Sequence, residues 1–259
     1  MNYIVADIGN TLTKIALINK NFKISKVRSC RTMQLLSKKK VIQNFKFDKL
    51  KTNKKIFISS VVPSVFKSIK KNLAPKNIAI EIKSLKLNSL VKIKVKNPKK
   101  LGSDRIANAI GCLNYYKSNC IVVDFGTATT FDIIKREKSY IGGIITPGIE
   151  TSIKNLSEAT AALPKFNLKP MKLPYGKNTI EALNTGFIWG YQGLINNIIL
   201  KIQRHTKTNF KLIFTGGHSN FFKKYIKSQI IIDRFITIKG LIQILKNYER
   251  SEEHTSELQ

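Results

Sequence analysis

Acid is scarce in this 259-residue sequence: 15 Asp and Glu stand against 46 Lys and Arg, leaving a formal net charge of +31. That imbalance raises nucleic acid as a partner, because a basic surface binds phosphate backbones through counterion release. The arrangement argues against it. An Arg-rich helix and an aromatic-interleaved basic stripe are both lacking, and the lysines are spread throughout, among the Ile and Asn that AT-rich codons also supply. Base composition explains the charge, and no nucleic-acid partner is expected. Cysteine is scarce too: Cys30, Cys112 and Cys120 are odd in number and scattered, matching neither metal-ligand spacing nor a disulfide framework. A reducing, cytoplasmic setting follows as the expectation. The histidines, His205, His218 and His254, lie far apart and give no support to a zinc site or a His-based triad. No apolar run reaches the roughly 18 to 20 residues that span a bilayer, and Met1-Asn2 lead straight into a strand-like segment, so neither membrane insertion nor export is expected.

What is present is a chain 42% apolar and long enough for two domains. Tyr3 to Ala6 reads as a buried strand ending at Asp7, and Thr13 to Ile18 as the second arm of a hairpin around Asp7-Ile8-Gly9-Asn10-Thr11. Ile56 to Val62 is a further strand, followed by a helix from Ser64, a plausible N-cap, to Leu73. Gly102-Ser103-Asp104-Arg105 opens a helical run through Ile106, Ala109, Ile110 and Leu113. The pattern then repeats: Cys120 to Val123 is an apolar strand ending at Asp124, and Asp124-Phe125-Gly126-Thr127-Ala128-Thr129-Thr130 turns into Phe131 to Ile134. Two similarly built halves are expected, 1–115 and 116–248. Gly142 to Gly148 reads as a glycine-rich turn, 179–203 as a long helix, and Leu212 to Phe214 as a strand feeding Thr215-Gly216-Gly217-His218. Residues 249–259 turn abruptly acidic without apolar periodicity and read as a flexible or foreign tail.

A strand ending in Asp and turning through Gly and Thr offers a phosphate a carboxylate for a metal ion, closely approaching backbone N–H groups and a hydroxyl donor. Either turn alone is equally an ordinary hairpin corner; it is their recurrence that suggests a nucleotide cleft. The two turns resemble the phosphate loops of the acetate-kinase/sugar-kinase/Hsp70/actin superfamily, and Thr215-Gly216-Gly217 resembles its adenosine loop. Four ordered motifs, Asp7-x-Gly9-Asn10-Thr11-x-x-Lys14, Gly102-Ser103-Asp104-Arg105, Asp124-x-Gly126-Thr127-Ala128-Thr129 and Gly142-Gly143-x-Ile145-x-Pro147-Gly148, resemble the type III pantothenate kinase family from Tyr3 to about Lys246.

That resemblance implies an α/β fold of two similar RNase H-like domains, of the actin/sugar-kinase type, with an ATP cleft between them. The reaction it implies is transfer of the γ-phosphoryl group of ATP to the terminal hydroxyl of pantothenate, the first step toward coenzyme A. In that frame Asp104 is the general base, Asp7 organises Mg²⁺ through water, and Ile8, Gly9, Asn10, Thr11, Lys14, Thr127, Gly216 and Gly217 contact ATP. Asp124 binds the monovalent cation, K⁺ or NH₄⁺, while Gly102, Ser103, Asp104 and Arg105 frame pantothenate. Thr179 is implied as a pantothenate contact made across a homodimer interface. Taken as residues alone, Asp104 and Thr179 equally fit helix N-caps, Arg105 a salt bridge and Lys14 a solvated surface residue. Val95 stands where many family members place a Tyr near the substrate. Two rival functions remain open on the same fold: a kinase of another small molecule, and a transcriptional accessory protein without kinase activity, such as some pantothenate kinase-like proteins are described to be. The Gly102–Arg105 tetrad argues against the first and the three carboxylates Asp7, Asp104 and Asp124 against the second.

Overall fold

The structure is a computed structural model describing residues 1–47, 52–74, 77–171 and 173–257. In chain order its elements are β1 (Asn2–Ile8), β2 (Leu12–Ile18), β3 (Ile24–Arg31), α1 (Lys38–Phe45), β4 (Thr52–Ser60), α2 (Pro63–Asn72), β5 (Ile78–Glu81), β6 (Lys92–Ile93) and α3 (Ser103–Tyr115). There follow β7 (Cys120–Phe125), β8 (Ala128–Lys135), β9 (Ser139–Pro147), α4 (Ile149–Ala159), α5 (Thr179–Thr206), β10 (Lys211–Gly216), α6 (Ser219–Lys223), β11 (Ile230–Ile232) and α7 (Ile236–Glu257). The chain divides into two compact units, one of 1–118, 134–142 and 235–259, the other of 119–133 and 143–234.

The first unit holds a five-stranded sheet in the order β3-β2-β1-β4-β5. The hairpin β1–β2 is antiparallel and closes at Ile8 opposite Thr13, while β4 lies parallel to β1 with Ser59 opposite Asp7. Parallel pairing needs a crossover, and burial on both faces favours unbroken apolar runs such as Ile56-Phe57-Ile58, each fully buried. On one face α1 and α2 bury Val41, Phe45, Val65 and Ile69 against Ile4, Ala6, Ile8, Ile15 and Leu17. The helices α3 and α7 pack closely because Gly111 and Gly240 leave room for backbone: a Cβ at Gly240 would fall 1.9 Å from the Ala107 carbonyl oxygen. Thr237 seals the contact, its buried hydroxyl donating to Asn108 Oδ1 at 2.8 Å.

In the second unit the strands lie in the order β9-β8-β7-β10-β11, with β10 parallel to both β7 and β11. Counted along the chain this is the same order as in the first unit, so the recurrence of the Asp-Gly turn reflects a recurrence of topology. The strand β6 pairs with the first residues of β9, Ser139 and Tyr140, within the first unit. Helix α5, 28 residues long, starts where the Asn178 side chain accepts from the Glu181 amide and the Glu181 carboxylate accepts from the Lys177 amide. Two otherwise orphaned donors are satisfied there, as in a capping box. It ends at Lys207 in the left-handed region at φ 45°, where the Thr208 amide reaches back to Gln203. Its apolar side joins Ile121, Val123, Phe125, Leu212 and Phe214 in the core.

The structure departs from the sequence reading in four places. Helix α2 begins with Pro63 at its first position after Val62, so Ser64 lies inside the first turn and is not the cap. Gly142 to Pro147 continues as strand β9, and the chain turns only at Gly148. The expected contiguous halves are interleaved, because α7 returns to pack on α3, β1 and β4. The segment 249–257 is helical, an extension of α7, with Glu249 accepting from the Tyr3 hydroxyl at 2.8 Å and Glu252 paired with Lys55; 258–259 lie outside the described residues. Tyr3 is accordingly pushed up to about 12 by burial and by the Glu249 carboxylate.

A helical Gly→Ala change ordinarily stabilises by up to about 1 kcal/mol. At Gly240 the backbone clash outweighs that gain, and Gly240→Ala is expected to cost about 1–3 kcal/mol in urea-monitored unfolding. A gain in stability would show that α3 and α7 are not in such close contact.

Candidate active site

In the first unit the turn after β1 is narrow: the Gly9 amide donates to the Leu12 carbonyl at 3.2 Å, and a Cβ on Gly9 would stand only 3.0 Å from that oxygen. Thr32, fully buried, staples the turn from beneath. Its hydroxyl donates to the Gly9 carbonyl at 2.7 Å and its amide to the Thr11 carbonyl at 3.0 Å, and the Thr13 hydroxyl lies 3.0 Å away. Asn10 and Thr11 are thereby held outward and exposed. Ile8 is different: its side chain is in the core and its carbonyl accepts from the Val61 amide. Lys14 stands directly opposite Asp7 in the β1–β2 register, where side chains of an antiparallel pair share a face. That position lifts Lys14 out of the general background of surface lysine.

Asp7 is also opposite Ser59 across the parallel pair, and Ser59 reaches the next piece of the site. Its hydroxyl donates to the Ser103 hydroxyl at 3.1 Å, and Ser103 donates to the Ser60 carbonyl at 2.9 Å. Ser103 is fully buried, and its side chain ties the start of α3 to the end of β4. Asp104 is therefore anchored near Asp7 at the carboxyl end of the sheet. Gly102, not Asp104, caps α3; the Asp104 carboxylate bends back, accepting from the Arg105 amide at 2.8 Å, and a Cβ on Gly102 would lie 2.4 Å from it. Burial pushes the Asp104 pKa above its ordinary value, with the Arg105 amide and guanidinium opposing. The Arg105 guanidinium stands 5.8 Å from the Tyr140 ring centre, a cation–π contact.

In the second unit the turn after β7 is closed by the Gly126 amide on the Ala128 carbonyl at 3.1 Å. Thr127 is exposed, but its carbonyl is doubly held, by the Gly148 amide at 3.1 Å and the Thr151 hydroxyl at 2.8 Å. Asp124 lies opposite Thr215 in the β7–β10 register. Gly216 has φ 85°, and a Cβ there would meet the Phe125 carbonyl oxygen at 2.5 Å and Asp124 Oδ1 at 2.7 Å; only glycine fits this approach. The Gly217 amide donates to the Phe125 carbonyl at 3.0 Å. Next to it His218 Nε2 lies 3.8 Å from Glu150, and burial pulls the imidazole pKa below its ordinary value against the carboxylate's opposing effect. Thr179 is exposed as the first residue of α5, with Asn178 rather than Thr179 as its cap, and Val95 is half-buried. Among the described residues no three His, Cys, Asp or Glu are grouped to hold a metal ion, and no helix is long and apolar enough to cross a membrane.

A family model described as type III pantothenate kinase matches residues 3–201. The chain belongs to the type III pantothenate kinase family. Its curated relatives of that name include one from Pelagibacter ubique, 45% identical over 244 residues, covering 93% of this chain and 97% of the relative. Another, from a Sulfurihydrogenibium species, is 35% identical over 248 residues, covering 92% and 97%. Among solved structures, one described as a Baf family transcriptional activator from Campylobacter jejuni superposes with a TM-score of 0.64 at 26% identity, over 95% of this chain and 99% of that one. A structure described as a 2-dehydro-3-deoxygalactonokinase from Sinorhizobium meliloti reaches 0.62 at 8% identity, over 95% and 99%, a likeness of fold alone. Membership brings the activity for which the family is named, ATP-dependent phosphorylation of pantothenate at the start of coenzyme A synthesis.

Thr32 and Ser59 carry much of the geometry and were not singled out in the sequence. Each lies in a different element from the motif it supports, and local pattern gives no signal for that.

Because the fold raises the Asp104 pKa, its neutral form is the one the folded state prefers; that preference is fully expressed below the ordinary value of 3.8 and lost as pH rises through the folded value. Asp104→Asn, which keeps the acceptor for the Arg105 amide, is expected to raise Tm at pH 7 and to match the parent at pH 3. A lower Tm for the variant at pH 7 would show that the carboxylate is not held at a cost.

Proposed function

We propose that Asp104 is the general base of this pantothenate kinase, taking the proton of the terminal hydroxyl as that oxygen attacks the γ-phosphorus of ATP. The observation that carries the reading is the Ser59–Ser103 tie, which anchors the carboxylate of α3 beside the Asp7 turn while leaving it half-buried. Phosphoryl transfer requires positioning and charge neutralisation more than covalent chemistry, and a base with a raised pKa takes a proton more readily as the attacking oxygen loses it. Asn10 and Thr11 present donors to the phosphates, Lys14 supplies a positive charge beside Asp7, and Thr127 meets ATP from the second turn. Arg105 and the Gly102 backbone frame pantothenate, Arg105 through its fork of donors. Gly216 and Gly217 form the adenosine loop, and Thr179 belongs to the pantothenate site completed in a homodimer. The setting is cytoplasmic.

The donor sets suit the two ions the family's chemistry calls for. Mg²⁺ keeps much of its water and binds through one or two carboxylates and the substrate phosphates; Asp7, at the end of β1 beside the exposed Asn10 and Thr11, would hold it. At Asp124 the bare Gly216 backbone leaves the carboxylate and the Phe125 carbonyl uncovered by a side chain, and oxygen donors of this kind suit K⁺ or NH₄⁺. When bound, these cations would neutralise phosphate charge.

ADP release by the purified protein is expected to depend on pantothenate and to be faster with K⁺ than with Na⁺. Asp104→Asn is expected to lower kcat by about 10²–10⁴-fold, the usual contribution of a general base, with ATP affinity within about twofold of the parent. Turnover that ignores pantothenate would refute the substrate, and loss of ATP binding in the variant would refute the role given to Asp104.

A further inference from the structure

The hydroxyl of Tyr191 has no part in the chemistry above, yet it sits where the second phosphate turn is held. Tyr191 lies on α5 with 8% of its surface exposed, and its hydroxyl donates to the Pro147 carbonyl and stands 3.4 Å from the Ser152 hydroxyl. Pro147 ends β9, and the next amide, that of Gly148, donates to the Thr127 carbonyl at 3.1 Å. From the start of α4 the Thr151 hydroxyl donates to the same carbonyl at 2.8 Å, and the Ser152 amide donates to Gly148 at 2.8 Å. The joint has no slack, since a Cβ on Gly148 would fall 2.3 Å from the Gly126 oxygen and 2.4 Å from that of Thr127.

The ring of Tyr191 reaches the other glycine turn of the same unit. It packs 5.6 Å from Phe222, which stacks on Phe125 at 5.5 Å with 4° between planes, and the Phe125 carbonyl accepts from Gly217. Burial raises the Tyr191 pKa, so the hydroxyl stays protonated and can donate at any working pH. A buried tyrosine ordinarily finds some acceptor. Here that acceptor belongs to the Pro147–Gly148 peptide, whose amide holds the Thr127 carbonyl.

We propose that Tyr191 is a positioning residue for the nucleotide: by holding the Pro147 carbonyl it fixes the Gly148 amide against Thr127 and so sets the turn that meets the ATP phosphates. This rests on the reading of Thr127 as an ATP contact.

The test is steady-state kinetics on Tyr191→Phe, Gly148→Ala and Thr127→Val with both substrates varied. Tyr191→Phe is expected to raise KM for ATP about tenfold, the scale of one lost buried hydrogen bond, leaving KM for pantothenate and kcat within about twofold. A tyrosine that only stabilised the fold would lower Tm and leave the two KM values in their original ratio, and either that result or an unchanged KM for ATP overturns the proposal. Should Tyr191→Phe fail to fold, Gly148→Ala displaces the same peptide directly, and ATP binding equal to the parent's would overturn it equally. If Thr127→Val leaves KM for ATP unchanged, the reading of Thr127 itself fails. If Thr127→Val raises that KM while Tyr191→Phe does not, only the positioning role fails.

Discussion

The parallel pairing of β1 with β4 is the contact on which the first half of the site depends. Its register puts Asp7 opposite Ser59, and Ser59 is the residue whose hydroxyl reaches the start of α3. A slip of one residue would turn every side chain of β1 to the opposite face, removing Ile4, Ala6 and Ile8 from the core and turning Asp7 away. The apolar burial that makes the sheet stable therefore also fixes the placement of the carboxylates. No separate device is needed to align them, only the short polar link from sheet to helix.

The second unit reaches a similar end by different means. Its strands repeat the order of the first, yet its turn is held less by polar side chains beneath it than by the close approach of backbones at Gly148 and Gly216. Missing Cβ atoms let Gly216 approach the Phe125 carbonyl and the Asp124 carboxylate, and let Gly148 approach the Gly126 and Thr127 carbonyls. A side chain there would force the backbone apart, so these glycines serve proximity, and at Gly216 the left-handed backbone as well.

Asp104 illustrates the tension between a working site and a stable fold. Burial that makes the carboxylate a better base also disfavours its ionised form, so the folded protein carries a cost at neutral pH that an amide would relieve. The close helix pair α3–α7 and the buried Thr237–Asn108 hydrogen bond behind it supply rigid support on the far side of the same helix.

By itself the sequence determined the Asp-Gly turns, their recurrence and the Gly102–Arg105 helix start, because apolar runs, glycine and turn residues act locally and leave a periodic trace. The four ordered motifs were enough to point to the family. The direction of the Ser103 side chain, the burial of Ile8, the strand character of 142–147 and the return of α7 to the first unit were decided only by tertiary structure. Each depends on which distant surface a residue meets: Ser103 on Ser59, Gly240 on Ala107, Gly148 on Thr127. Thr32, Ser59 and Tyr191 belong to that class as well, since an ordinary serine, threonine or tyrosine becomes a support for the site only when folding brings a particular carbonyl or hydroxyl within hydrogen-bonding distance.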